Sequence, residues 1–144
     1  MAKQFSLTKD ERIHSKKTIE ALFTPGNESF VTYPFRLVYC FVADQEQARA
    51  AILCSVTKKR FKRANKRNHV KRLIREAYRL NKMPLLDCLE KMDKRLAIAF
   101  LYLPNSIKSS EDVQKKMQEA LSALVQKLEL TENSMTNERE GLDS

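Results

Sequence analysis

Residues 55–78 read SVTKKRFKRANKRNHVKRLIREAY. The stretch opens on the end of an apolar run, crosses a basic turn and continues with helical periodicity. Extended to Lys82, it holds twelve Lys/Arg against one acid, Glu76. Taken from the chain's 27 Lys/Arg and 18 Asp/Glu, that leaves fifteen basic and seventeen acidic residues elsewhere. The net charge of +9 is therefore one concentrated block on a near-neutral protein. Like charges gathered this closely repel one another in the folded state, and a polyanion relieves the repulsion.

On a helical wheel of about 100° per residue starting at Arg67, one arc holds Val70, Leu73, Ile74, Ala77 and Tyr78. Their i, i+3, i+4, i+7, i+8 spacing is that of a helix face laid on a sheet. Lys71, Arg72, Arg75, Arg79 and Lys82 occupy a separate arc; Arg67 meets Tyr78 at the boundary, and Glu76 and His69 fall on the far side. A solvated face usually alternates signs, each i, i+4 pair being worth about 0.2–0.5 kcal/mol. Here Arg67, Lys71, Arg75 and Arg79 form a like-charge ladder. Lys66 and Arg67 also stand near the helix start, where the macrodipole disfavours cations and free N–H groups can donate to phosphate oxygens. The pattern selects nucleic-acid binding over a plain exposed face, and arginine's planar fork suits phosphate or a base edge. Asn68 is open to two uses, a local cap or a hydrogen bond to a base or sugar.

Outward from this block, Phe35–Val42 alternates as a strand with two largely apolar faces, both expected to be covered. Residues 50–56 (AAILCSV) and 96–103 (LAIAFLYL) read as two more buried strands, and 29–32 as a weaker fourth. A first helix is expected to start at Thr8, with Thr8 and Glu11 as a T-x-x-E capping box. Ile19, Leu22 and Phe23 follow at helical spacing, Pro25-Gly26 ends the helix, and Arg12, Lys16 and Lys17 are expected to be exposed. Residues 85–92 form a short amphipathic stretch. A last helix is expected over 110–128, with Val113, Met117, Ala120, Leu121, Leu124 and Leu128 as one stripe. From Thr131 the sequence TENSMTNEREGLDS is polar and unpatterned. The expected layout is a single RNA-binding domain over residues 1–130 and a disordered tail over 131–144.

The length suits one domain, and 42% hydrophobic residues with only two glycines argue against disorder over most of it. No apolar run approaches the roughly 18–20 residues that span a bilayer, and the first residues lack the apolar centre of a signal peptide. A cytoplasmic protein without membrane association is the expectation. Cys40, Cys54 and Cys88 show no CxxC spacing, so a zinc site is not expected. Cys40 and Cys54 lie in apolar runs, as buried thiols do.

Ser55-Val56-Thr57-Lys58-Lys59, Arg63-Ala64 and the run from Arg67-Asn68-His69 through Tyr78 closely resemble the protein subunit of bacterial ribonuclease P. That family's motif is an Arg-Asn-Arg opening a basic helix, preceded by a strand ending Ser-Val-x-Lys-Lys. The resemblance extends from Phe5 to about Leu128, in pattern alone outside the central block. It implies an α+β fold: an αβ sandwich of a central four-stranded sheet and three to four helices, similar to a ribosomal-protein domain. It also implies that the basic helix lies in a left-handed βαβ crossover, against the usual handedness. The implied function is assistance to a catalytic RNA that removes the 5′ leader of precursor tRNA with RNA-bound Mg²⁺. The implied partners are that RNA and the precursor tRNA, with no obligate protein partner.

The motif assigns RNA binding to Arg67, Asn68, Lys71, Arg72 and Arg75 with Lys58 and Lys59 before them; Arg63, Lys66 and Arg79 complete the candidate surface. The resemblance further implies a leader cleft holding Ile19 and Phe23 on the first helix, Arg36 and Val38 on the sheet, and Ser55 beneath. Stacking on apolar or aromatic side chains makes such a cleft tolerant of sequence. His69 stands where the motif has its second arginine, and Ile19 and Val38 stand where relatives often carry aromatics. Phe35 and Tyr39 are nearer to core residues than to ligands.

Hydrolysis by the chain itself would need grouped carboxylates on a metal or a histidine pair. His14 and His69 lie on separate predicted helices, and the pairs Asp10/Glu11 and Asp44/Glu46 show no spacing that would converge. No catalytic residue is expected. The alternative is a general RNA-binding or ribosomal protein, which would share the ladder but need no leader cleft.

Overall fold

The computed structural model describes residues 11–13, 16–42 and 48–142. Their elements are α1 (Lys16–Leu22), β1 (Glu28–Thr32), β2 (Phe35–Val42), β3 (Ala50–Ser55), α2 (Ala64–Asn81), α3 (Met83–Met92), β4 (Arg95–Tyr102) and α4 (Ser110–Leu142). The strands pair in the order β1-β2-β4-β3. The first two pairings are antiparallel and β3–β4 is parallel. A parallel neighbour cannot be reached by a tight turn. The basic block supplies the crossover: α2 and α3 carry the chain from the end of β3 back to the start of β4. The result is the α+β architecture expected, with the weak strand at 28–32 present as the edge.

Alternation along the strands sorts side chains to two faces. Phe35, Leu37, Tyr39, Ile52, Cys54, Ile98, Phe100 and Tyr102 enter the main core. There they meet Val70, Ile74, Ala77 and Tyr78 of α2, and Leu85 and Leu89 of α3. The whole expected stripe of α4, Val113 through Leu128, closes this side. Phe35 and Tyr39 are thus core, on the face away from α1. On the opposite face Leu22 of α1 and Ile13 pack over the small side chains Ala51, Ala97 and Ala99.

Several expectations change. Helix α1 begins at Lys16, because the preceding segment lies along the free edge of β3: Ile13 N–H donates to the Ile52 carbonyl at 2.9 Å, and Arg12 bridges Ile52 in parallel. Thr8 lies outside the described residues. Its proposed capping partner Glu11 instead accepts two hydrogen bonds from Lys82 Nζ, at 2.8 and 2.9 Å. Both side chains are buried, and a buried ammonium has a stronger need of a carboxylate than an exposed helix start has. Lys82 therefore leaves the basic arc. The last helix continues to Leu142 rather than ending at Leu128. No proline follows Ser110, so the backbone ladder runs on after the apolar stripe ends. Finally, seven-residue α1 covers only part of its sheet face: Arg36 is exposed, and Val38, Cys40 and Val42 are half-buried. On the other face Phe41, at the open end of β2, is exposed as well.

Candidate nucleic-acid interface

Helix α2 opens without the usual chemistry. Its N-cap is Arg63, in extended conformation with no side-chain cap hydrogen bond, and no acid stands in the first turn. Lys66 and Arg67 follow within the first turns, so cations occupy the positive end of the dipole. Arg67 is half-buried, and its Nη1 donates to the carbonyls of Phe61 and Lys62, both at 2.9 Å. One edge of this guanidinium therefore braces the turn that leads into the helix. Asn68 lies inside the helix and is exposed, which removes the capping option.

Along the ladder, Arg72 is exposed and Lys71 and Arg75 are half-buried. Among the described residues no carboxylate pairs with Lys58, Lys59, Arg63, Lys66, Lys71, Arg72 or Arg75. Arg79 differs: it forms an ion pair with Glu76 one turn earlier. That hydrogen bond holds the Glu76 carboxyl below its ordinary range. Glu76, assigned to the far side by its wheel angle, reaches Arg79 because both side chains are long. Arg79 is therefore the weakest member of the expected set. His69 is exposed.

Beyond the ends of β3 and β4, a cavity of about 560 Å³ opens between the start of α2 and residues 105–107. Arg60, Lys62, Arg63 and Lys66 line it above Phe61 and Ile107, with no carboxylate in its wall. Arg60 Nη1 donates to Asn105 Oδ1 at 3.2 Å across it. Tyr102 fixes the far wall, its hydroxyl donating to the Ser106 carbonyl at 2.8 Å and accepting from Lys108 N–H at 3.0 Å. Arg60, Lys62 and this loop were not singled out from sequence. The dense charge of the block marked the first two, while the loop is brought in only by the fold.

The register assembles the second expected site. Val31, Arg36, Leu101 and Ser55 form one row across β1, β2, β4 and β3, and Ser29, Val38, Ala99 and Leu53 form the next. Arg36, Val38 and Ser55 thus share the face that carries α1. Arg36 Nη2 lies 3.4 Å from Ser29 Oγ. Ile19 packs half-buried on this face beside Val38. Phe23, just past the end of α1, is 49% exposed, and Val31 is 57% exposed. Asn27 Nδ2 donates to the Leu22 carbonyl at 2.9 Å, and Gly26 turns the chain at φ +100. Arg36, Val38 and Ser55 therefore share this face by register, Ile19 packs on it with the small Ala97 and Ala99, and Phe23 stands exposed just past the end of α1. An exposed aromatic, a guanidinium and a hydroxyl are groups that can stack on and hydrogen-bond an unpaired strand.

The buried Cys54 thiol reports the field beneath the ladder. Burial pushes it up to about 11, while the cations of Arg75, Lys71 and Arg12 act in the opposite sense. Arg12, from the segment before α1, is bridged to Ile52 on the same strand as Cys54.

A family model described as Ribonuclease P matches residues 7–128. The Ribonuclease P protein component of Porphyromonas gingivalis is 43% identical over 117 residues, covering 81% of this chain and 85% of that protein. Its counterpart from Chlorobaculum tepidum is 36% identical over 104 residues, covering 67% of each. The solved structure of the Staphylococcus aureus RNase P protein superposes with a TM-score of 0.61 at 20% identity, covering 79% of this chain and 94% of that one.

Proposed function

The chain belongs to the bacterial ribonuclease P protein family, and from that premise we propose how its two surfaces divide the work. As a family member it is a subunit of the ribonucleoprotein endonuclease that matures tRNA 5′ ends, with a catalytic RNA as its core and partner. In our reading the α2 ridge, from Lys58 and Lys59 through Arg63, Lys66, Arg67, Asn68, Lys71, Arg72 and Arg75, grips the phosphodiester chain of that RNA. Arg79 contributes less, being paired with Glu76. The α1 face, with Ile19, Phe23, Arg36, Val38 and Ser55, receives the single-stranded 5′ leader of precursor tRNA.

The observation that carries this reading is the run of cations on and before α2 that no carboxylate pairs among the described residues. Such a run is unfavourable in the free protein and favourable against phosphate. The α1 face favours an unpaired strand over a duplex, since it offers Phe23 for stacking beside the polar groups of Arg36 and Ser55. In this account Mg²⁺ is bound mainly by the RNA, whose phosphates suit a hard cation that keeps several of its waters. No helix among the described residues is long and apolar enough to cross a membrane.

The test is reconstitution with the cognate catalytic RNA at low Mg²⁺, comparing precursor tRNA with and without a leader. The protein should favour the leader-bearing substrate, and without the RNA it should leave precursor tRNA uncut. Equal stimulation of leaderless substrate would remove the role assigned to the α1 face.

A further inference from the structure

We infer that the strand-edge segment 11–13 belongs to the RNA-gripping surface: it lays Arg12 beside Lys71 and Arg75, and the buried Glu11–Lys82 pair holds it there. This rests on the reading of the α2 ridge and adds a residue to it from outside the basic block.

The geometry is as follows. β3 is an outer strand of the sheet, and residues 12 and 13 occupy its free edge. Arg12 is bridged to Ile52 as in a parallel ladder. Partnered residues on adjacent strands face the same way. Ile52 enters the main core under α2, while Ile13 turns to the opposite face with Leu22 and Ala51. Arg12 therefore leaves the edge on the α2 side, where it is exposed and makes no ion pair among the described residues. Its influence on the Cys54 thiol, in the same sense as Arg75 and Lys71, agrees with that placement.

What keeps the segment on the edge is visible too. Lys82 Nζ reaches both oxygens of Glu11 across 71 residues of chain, with the two side chains 3% and 10% exposed. Lys82 is the C-cap of α2. The pair therefore ties the segment to the helix that carries the ladder, while Ile13 already faces the side that carries α1. Arg12 stands where the two surfaces meet, so the phosphodiester it neutralises comes either from the catalytic RNA or from the leader.

The experiment uses the full chain reconstituted with its cognate catalytic RNA. One arm measures affinity for that RNA against salt. The other measures holoenzyme affinity for leader-bearing and leaderless precursor. Arg12→Gln is expected to weaken one arm about 3- to 10-fold and to lower the magnitude of its log–log salt slope by about 0.7–0.9, whereas Arg12→Lys keeps the slope. Loss in the first arm assigns the phosphate to the catalytic RNA; loss confined to leader-bearing precursor assigns it to the leader. The double variant Glu11→Gln/Lys82→Met removes both charges of the tie, and in it Arg12→Gln should be silent. If that variant does not fold, the Arg12 series decides alone. Unchanged affinities for Arg12→Gln beside a weakened Arg72→Ala control would overturn the inference and leave the ridge intact. An unaffected Arg72→Ala control would overturn both. An Arg12→Gln effect undiminished in the double variant would overturn the role of the buried pair.

Discussion

Individual side chains divide into those that hold the fold and those left free for a ligand. Arg72 is exposed and has no carboxylate partner among the described residues. Arg72→Ala should weaken assembly with the catalytic RNA by about 1–2 kcal/mol while circular dichroism and thermal unfolding stay as in the parent. An unchanged Kd would remove it from the interface. Glu11 is the opposite case. Glu11→Ala removes the carboxylate that the buried Lys82 ammonium bonds and should cost about 3–5 kcal/mol in denaturant unfolding, against less than about 1 kcal/mol if the pair were ornamental. Cys54 gives a third handle, because burial pushes its thiol up to about 11 from 9.0. On raising pH the unfolded thiol ionises first, so this contribution to stability is intact below about pH 9 and is lost as pH climbs towards 11. At pH 8 the native protein should therefore alkylate at half-buried Cys40 well before buried Cys54. Equal labelling by mass spectrometry would contradict that burial.

Elements were legible in proportion to how local their causes are. Helix α2 followed from the 3.6-residue recurrence of Val70, Ile74, Ala77 and Tyr78, and β2 from alternation alone, to the residue. The start of α1 was not legible, because Glu11 answers to Lys82 across 71 residues and Ile13 to the edge of β3. The same distant partner explains why Lys82 belongs by wheel angle to the basic arc yet is buried. The candidate leader face shows the converse. Its residues lie on α1, β2 and β3, and only the insertion of β4 between β2 and β3 makes Arg36, Leu101 and Ser55 one row. Seven-residue α1 cannot stand alone as a helix, so its docking rests on Leu22 and Ile19. Leu22→Ala should raise amide exchange across α1 and reduce discrimination for leader-bearing substrate, while affinity for the catalytic RNA falls by no more than in Arg12→Gln, because Ile13 beside Arg12 packs in the same cluster as Leu22. A larger loss of that affinity would mean that the two surfaces are not separate.

On the scale of the whole molecule, the sheet keeps the two candidate sites apart. Helix α2 and its cations lie on one face, and α1 with Arg36 and Val38 lies on the other; the two are joined around the edge of β3. The +9 net charge is concentrated in one block, where its self-repulsion is greatest and where a phosphate backbone can neutralise it. The distribution was legible from composition by segment. The cavity at 105–107 and the partnering of Arg79 with Glu76 were not, since both depend on what the chain brings together. The most direct test of the ridge as the RNA-gripping surface is the salt dependence of affinity for the cognate catalytic RNA. Neutralising about five phosphates predicts a log–log slope of about −3 to −5. A slope near zero would contradict it.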